Sequence, residues 1–597
     1  MEHERNLWVF TFEFGPAKVG GLGEVPTNQV KNIQRDFNIT VLMPAHWLTD
    51  ETAGKYHLKH TGRFLEFKQD FTSLEMQAPH HHPSIIASNA ELKVEVMQMI
   101  LPGFEDTKIL VFSGMDPISK QFLNDPVIYS STGLWGKIMV YSRCIEHYMK
   151  KIIDENPNLI PHAVHVHDYH PLPGFLAARQ ALLGKNKDVA MIFTVHLLTW
   201  PKVTLDFMHA CGIDETPLPV YIRHKTMELS MKRMLEMGKN SIEYLGGITA
   251  DIVTSVSSAY LQDTVVPNVG GGLLTGKVDF LHNGCDWDYE EAKQLVRDEL
   301  GLDPSELKTK LMTSLLELMP ENEPVVDDPI LERIISKYEA YPYVAGGRVK
   351  NFVDEGYLFL LTGRASSQKG LDLFFEVIPR IIKQDKRVNF LLLLIPTQGE
   401  SDLVSSILER ATSVDIRENV RVIFGKVRSI FIAAHLAADA YIANSLWEPF
   451  GITALEAQAL ELPVLGSKVG GIKETVVDIS DDPLHGTGLL YRPDDGNELE
   501  YAILDMVNLL DINAIAKHRV NGTESTSEGN MDGRITRLLG KFHDSKLVDI
   551  VKNEPTLYQR LKSNARERVE SSFRWSIVSR KEIDIINRAI ERKNLAY

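Results

Sequence analysis

The chain has 597 residues, enough for several domains at roughly 150 residues each, and 44% hydrophobic with 24% charged residues is the make-up of a globular protein with large cores. A net charge of −16 argues against a general polyanion-binding role, so any nucleotide site must be locally basic. Cys144, Cys211 and Cys285 are scattered and odd in number, which argues against a disulfide framework and suits a reducing compartment. The charged start, Met-Glu-His-Glu-Arg-Asn, lacks a signal-peptide apolar region, and no apolar run reaches the ~18 residues of a membrane helix. The expectation is a cytoplasmic chain without a membrane or nucleic-acid partner.

In chain order, residues 7–14 are β-rich and lead into Gly15-Pro-Ala-Lys-Val-Gly-Gly-Leu-Gly-Glu-Val-Pro26, then a helical segment over about 27–35. A strand, a glycine-rich turn and a helix let backbone approach a phosphate, with Lys18 as a mobile positive charge. The spacing is not that of a dinucleotide fingerprint. Residues 38–44 read as a second strand, and 64–73, 92–99 and 109–112 as strands of a peripheral excursion. Pro79-His-His-His-Pro83 reads as a solvated loop rather than a metal site. A helix is expected over 135–150, strands over 163–167 and 190–195, a helix over 227–244 and a strand over 250–257. Asp168 follows one strand, where an Asp can also cap a helix; His196 follows another. Strands are expected from 357, over 388–396 and over 420–424.

Residues 438–443 read as a buried strand, Pro449 and Gly451 mark a turn, and 452–460 has helical composition. The unpaired first amides of such a helix, with its dipole, make a phosphate site. Glu448 lies before the turn and Glu456 inside the helix. A nucleotide sugar, an anion with hydroxyls, suits both features. Residues 463–476 give the next strand and a glycine turn, and 561–589 is helical in composition. Lys468-Val-Gly-Gly-Ile-Lys-Glu474 echoes Lys18-Val-Gly-Gly-Leu-Gly-Glu24, as two like-folded domains would if each offered a glycine turn to one cleft.

Glu448-Pro-Phe-Gly-Ile-Thr-Ala-Leu-Glu-Ala457 resembles the E-x7-E motif of retaining glycosyltransferases with two Rossmann-like domains (GT-B). Lys18-Val-Gly-Gly-Leu-Gly-Glu24 resembles the K-x-G-G-L-x-D/E signature of glycogen and starch synthases, with Glu24 where Asp is usual in bacterial enzymes. His165-Val-His-Asp-Tyr169, Phe193-Thr-Val-His196, residues 250–257, Asn283-Gly-Cys-Asp286 and Gly363-Arg-Ala-Ser-Ser-Gln-Lys-Gly370 match further motifs in family order. Leu197 replaces the usual Asn, residues 396–400 replace a glycine-acid turn over the nucleobase, and Ser445-Leu-Trp-Glu-Pro449 lacks the Arg common in bacterial members. These departures point to a divergent or archaeal-like member.

The resemblance implies an α/β fold of two doubly wound Rossmann-like domains facing across a deep cleft, with a C-terminal helix crossing back to the first. The expected division is 1–288 on the acceptor side, 289–356 as a linker with an atypical helical insertion, 357–572 on the donor side and 573–597 as the returning helix. The insertion would serve either homo-oligomer formation or packing on the second domain. The region 520–553 is another atypical excursion. The implied reaction moves glucose from ADP-glucose or UDP-glucose to the non-reducing 4-OH of an α-1,4-glucan with retention. Glu448, Arg364, Lys369, His196 and Asp168 are the implied catalytic set. Lys18, Gly20, Gly21, Asn283, Phe450, Gly451, Ile452, Thr453 and Glu456 are the implied donor-binding set. Two fixed cations and helix amides can neutralise a leaving diphosphate without a metal or other cofactor. The motifs serve the donor, so a related transferase with a small sugar acceptor stays open, as does a non-catalytic glucan- or nucleotide-binding protein. A glycoside hydrolase using Glu448 and Glu456 would leave Lys18, Arg364 and Lys369 without a task.

Overall fold

The computed structural model describes residues 5–48, 57–77, 89–130, 132–319, 326, 328–338, 349–353, 355–396, 399–427, 430–520 and 528–595. The chain divides into two compact units, Met1–Gly284 with Trp575–Tyr597, and Cys285–Arg574.

The first unit carries β1 (Asn6–Phe10), β2 (Asn38–Pro44), β3 (Leu58–Asp70), β4 (Asn89–Met99), β5 (Thr107–Gly114), β6 (Ala163–His167), β7 (Ala190–Val195), β8 (Leu218–Ile222), β9 (Lys225–Leu229), β10 (Ile252–Ser255) and β11 (Val278–Phe280). Among the described residues its main sheet runs β11-β10-β7-β6-β1-β2-β5-β4-β3. Pairing is parallel from β11 through β5 and antiparallel from β5 to β3. β1, β6, β7 and β10 are buried at every position, as strands covered on both faces must be, and this is why they read as apolar runs. The helices α1 (Gly21–Ile33), α2 (Leu134–Glu155), α3 (Leu172–Leu183) and α4 (Ile242–Thr249) belong here. The C-terminal helix Trp575–Leu595 buries Ile585, Ile586 and Ala589 in one cluster with Leu7, Val9 and Ile192.

The second unit carries β12 (Tyr357–Ala365), β13 (Val388–Pro396), β14 (Val420–Phe424), β15 (Ala440–Ala443), β16 (Val464–Ser467) and β17 (Gly488–Tyr491), in the order β14-β13-β12-β15-β16-β17. All five pairings are parallel. Its helices include α5 (Leu371–Gln384) and α6 (Ile452–Ala459). Strand order reverses between β12 and β15 here, and between β1 and β6 in the first unit. Crevices at the carboxyl ends of such strands are where doubly wound sheets bind ligands.

Several expectations are corrected. β1 ends at Phe10, because a tight loop closes between Phe14 and Ala17 through reciprocal backbone hydrogen bonds. α1 starts at Gly21, so the last glycines of the turn form the first helical turn. The supposed peripheral strands are part of the main sheet, with β5 paired to β2. Residues 227–244 are not one helix. The segment holds β9, a helix Met231–Met237 capped by Ser230, and the start of α4 capped by Ser241, with Lys239 and Asn240 in the left-handed region between them. The helical residues 561–589 fall into Leu557–Arg568 and Trp575–Leu595, the second starting within two residues of the returning helix expected from 573; Arg574 is extended, and Phe573 gives its carbonyl to the Cys285 amide. The described residues of 289–353 form a layer of the second unit. Val296, Leu307, Leu311 and Phe352 bury with Leu358 and Leu360, while Leu331 and Ile335 join the opposite face with Phe374. The His80–His82 run lies outside the described residues.

Candidate functional site

In the second unit, a pocket at the carboxyl ends of β12 and β15 is lined by Thr362, Lys369, Tyr441, Ser445, Glu448 and Gly451 among others. Lys369 Nζ donates to Glu448 Oε2 at 2.7 Å, and Ser445 Oγ donates to the same oxygen at 3.1 Å. The strand-to-helix turn that carries Lys369 is fastened to the loop after β15. Leu446 N donates to Gln368 O at 2.8 Å, Gln368 Nε2 to Trp447 O at 3.0 Å, and Asn444 Nδ2 to Gly370 O at 2.8 Å. Gly370, at φ +59, starts α5 in this crowded corner, where a Cβ would stand 2.6 Å from Asn444 O.

Gly451 takes φ +89 and opens α6, placing Ile452 and Thr453 in its first turn. The glycine turn after β16 lies against the Glu448–Phe450 backbone. Gly471 N donates to Glu448 O at 3.1 Å, and a Cβ on Gly470 would lie 1.8 Å from that carbonyl oxygen. This turn follows the fifth strand of its unit, whereas the Lys18 turn follows the first. The two seven-residue echoes are therefore not equivalent positions; the topological counterpart of the Lys18 turn is Gly363–Gly370. Phe450 is buried with its ring 6.1 Å from Phe573, so only its backbone is available to a ligand. Glu456 is half-buried one turn into α6. Burial pushes the Tyr441 phenol up, and the Glu456 charge adds to that. Arg364 is exposed at the end of β12 and is not part of the pocket lining.

In the first unit, Lys18 pairs with Glu24. The turn is organised by a residue that the sequence reading missed. Glu13, buried just past β1, accepts from Val19 N at 2.6 Å, from Gly20 N at 3.4 Å, and from the Tyr129 hydroxyl. Burial raises its carboxyl above the usual range against these hydrogen bonds. Gly23 has no room for a side chain, since a Cβ would stand 2.4 Å from Lys18 Cβ.

Asp168 and His196 come together. His196 N donates to Asp168 Oδ1 at 2.7 Å, and Asp168 holds φ +56. It caps no helix; the residue before α3 is Pro171. Burial, with the Glu243 and Glu13 charges nearby, pushes the Asp168 carboxyl up to about 8 in spite of hydrogen bonds from the His196 and Leu197 amides. His196 Nε2 lies 2.9 Å from His167 Nδ1, so one of the two rings donates to the other. Burial lowers His196 to about 3. Glu243, 2% exposed in α4, accepts from Thr199 N and Trp200 N, and burial pushes it up to about 7. Its only sequence signal was a Glu in an otherwise apolar helix. Asn283 is buried, with its side-chain oxygen lacking a hydrogen-bond partner. Among the described residues, no helix is long and apolar enough to cross a membrane.

The family model for the starch synthase catalytic domain matches residues 6–276, and the model for group 1 glycosyl transferases matches residues 348–516. Glycogen synthase 2 of Rhizobium meliloti (strain 1021) is 23% identical over 391 residues, covering 62% of this chain and 67% of that one. Glycogen synthase of Protochlamydia amoebophila (strain UWE25) is 21% identical over 517 residues, covering 82% and 88%. In fold, the chain is similar to the catalytic domain of starch synthase IV from Arabidopsis thaliana, solved with ADP and acarbose, at a TM-score of 0.61 and 15% identity over 99% of this chain and 100% of that one. The chain thus carries, in order, a match to the starch synthase catalytic domain and one to group 1 glycosyl transferases, is similar in sequence to glycogen synthases, and has the fold of GT-B glycosyltransferases.

Proposed function

We propose that this protein extends α-1,4-glucans, moving glucose from ADP-glucose or UDP-glucose to the non-reducing 4-OH with retention of configuration. The observation that carries the reading is the Lys369–Ser445–Glu448 cluster beside the start of α6, at the switch point of the second sheet. The hard step is departure of a nucleoside diphosphate while the sugar becomes oxocarbenium-like. A diphosphate arriving at this pocket competes with Glu448 for the Lys369 ammonium. Lys369, Arg364 and the amides of Gly451 and Ile452 then neutralise the leaving charge, which makes a metal unnecessary. Glu448, released from Lys369, holds a sugar hydroxyl, and Glu456 holds the ribose.

The first unit supplies fixed groups for the sugar and acceptor. Glu13 orders the Lys18 turn and its glycines Gly20 and Gly21, while Asp168 sets the His196 backbone. Asn283 offers a buried oxygen that still lacks a donor. The cytoplasm suits the three buried free cysteines.

The test is nucleotide release by the purified protein, with ADP-glucose and UDP-glucose in parallel, with and without glycogen, and with and without EDTA. Glycogen-dependent release that survives EDTA is the expected result, and the faster donor identifies the nucleotide. Release only with a small free sugar would replace the glucan by that acceptor. Donor binding without release would make the protein a non-catalytic binder.

A further inference from the structure

The loop that starts at His196 is held more tightly than any catalytic duty yet assigned to it requires. Its five consecutive backbone N–H groups all end on side-chain acceptors. His196 N and Leu197 N donate to Asp168, Leu198 N to the Tyr260 hydroxyl at 3.0 Å, Thr199 N to Glu243 Oε1 at 2.9 Å, and Trp200 N to Glu243 Oε2 at 3.1 Å. At the end of this run stands Trp200, with 57% of its surface exposed and φ +52, in the left-handed region that bulky residues avoid. Its indole Nε1 donates to Asn268 Oδ1 at 3.2 Å, which fixes the plane of the ring.

These features all work against stability. A left-handed Trp carries backbone strain, a buried carboxylate is costly to ionise, and an exposed indole recovers little by burial. Such an outlier persists where it serves a ligand. The ring offers a rigid apolar face with no conformational freedom left to lose on binding. The Thr199 hydroxyl lies beside it in the sequence, and that residue is exposed too. A flat apolar face with a polar edge matches the C–H face and hydroxyl rim of a pyranose.

We propose that Trp200 is an acceptor platform, on which a glucose unit of the α-1,4-glucan stacks, with Glu243 and Asn268 as the residues that position the ring. This rests on the glucan-extending reading, and it adds the residue that grips the acceptor. Since the platform lies only four residues beyond His196, a glucan stacked there approaches the fixed end of the same loop.

The experiment compares the full-length protein with Trp200→Ala, Trp200→Phe and Trp200→Gly. Trp200→Gly removes the ring and also relieves the positive φ, so it keeps or raises Tm. Affinity for glycogen is read without catalysis, from retardation in native gels containing glycogen, and the KM values for donor and acceptor are read from nucleotide release. The expected result is a loss of glycogen affinity and a rise in acceptor KM of roughly tenfold in the Ala and Gly variants, most of it restored in Trp200→Phe, with donor KM unmoved. Unchanged retardation in Trp200→Gly, or donor KM rising in step with acceptor KM, would overturn the platform. Wild-type protein that binds glycogen through Trp200 yet releases no nucleotide would sink the proposed reaction and leave the platform standing.

Discussion

Replacing Lys369 by Ala should separate what the Lys369–Glu448 pair gives to folding from what it gives to turnover. The two side chains keep 16% and 12% of their surface exposed, with Nζ 2.7 Å from Oε2. Exposed ion pairs are worth about 0–1 kcal/mol, and removing one partner of a fully buried pair costs about 3–5 kcal/mol. The sheltered pair here lies between these limits, at about 2 kcal/mol, because Ser445 still donates to the stranded carboxylate. In a unit of this size that lowers Tm by about 3 °C. Turnover should fall much further. Removing one preorganised charge from a developing anion costs about 2.7–4 kcal/mol, or 10²–10³ in kcat. The assay is kcat for nucleotide release at saturating donor and glycogen, run beside thermal unfolding. Adding Glu448→Gln to Lys369→Ala removes the stranded charge, so the double variant should regain most of the lost Tm and none of the turnover. Near-normal kcat in folded Lys369→Ala would refute the reasoning. So would recovery of turnover in the double variant, since the loss would then lie in the pairing and not in the diphosphate.

Gly470→Ala should damage the same pocket through packing alone, because its Cβ would lie 1.8 Å from Glu448 O at φ +39; the expected loss exceeds ~4 kcal/mol, read as a collapse of Tm or soluble yield. Glu13→Gln should weaken donor binding roughly tenfold, the equivalent of one charge-assisted hydrogen bond lost from the Lys18 turn, measured by calorimetric titration. Asp168 should leave a signature in stability against pH. Its folded carboxyl titrates at about 8 and an unfolded one near 4, so between these values the native state holds a proton that the unfolded chain has released. Its contribution is therefore full at low pH and is lost as pH rises to 8, and Glu243, at about 7, acts in the same sense. Above pH ~7.5 the lowered histidines are neutral in the folded state and nearly so in the unfolded one, whose imidazoles titrate near ~6.5, so the decline in Tm from about pH 7.5 to 8 should be shallower in Asp168→Asn; an unchanged slope would count against a protonated Asp168.

The parallel strands were legible because each is a short apolar run covered on both faces, so pattern and burial coincide. The expected bounds of β2, β6, β7, β13 and β14 match the structure residue for residue. The antiparallel ribbon of β3 and β4 was placed wrongly because the partner of β5 is fixed by long-range pairing, which no local pattern encodes. The supposed helix over 227–244 failed for a local reason. Ser230 and Ser241 cap new helices, and Lys239 and Asn240 accept the left-handed conformation that helical composition hides. At the site, glycine turns and Lys369 announced themselves by spacing. Glu13 and Glu243 did not, since a single Glu near an element end looks the same whether it is solvated or buried over a loop's amides.

The two units use carboxylates in opposite ways. In the first, Glu13, Asp168 and Glu243 each accept backbone amides of a loop, and burial holds all three above the normal carboxylate range. Such groups weaken the fold when ionised, and their value is geometric, because the loops at Lys18 and His196–Trp200 are set before any ligand arrives. In the second, Glu448 accepts from a lysine and a serine, and in the proposed reaction Lys369 exchanges the carboxylate for a phosphate while Glu448 takes up a sugar hydroxyl. A transferase that must release a diphosphate and then readmit another gains from this difference. The groups that shape sugar and acceptor gain from being fixed, since any reorganisation there adds to the barrier. In the proposed reaction the cation that meets the diphosphate gains from having a resting partner, since Glu448 would keep Lys369 in place between turnovers and give it up to a stronger anion.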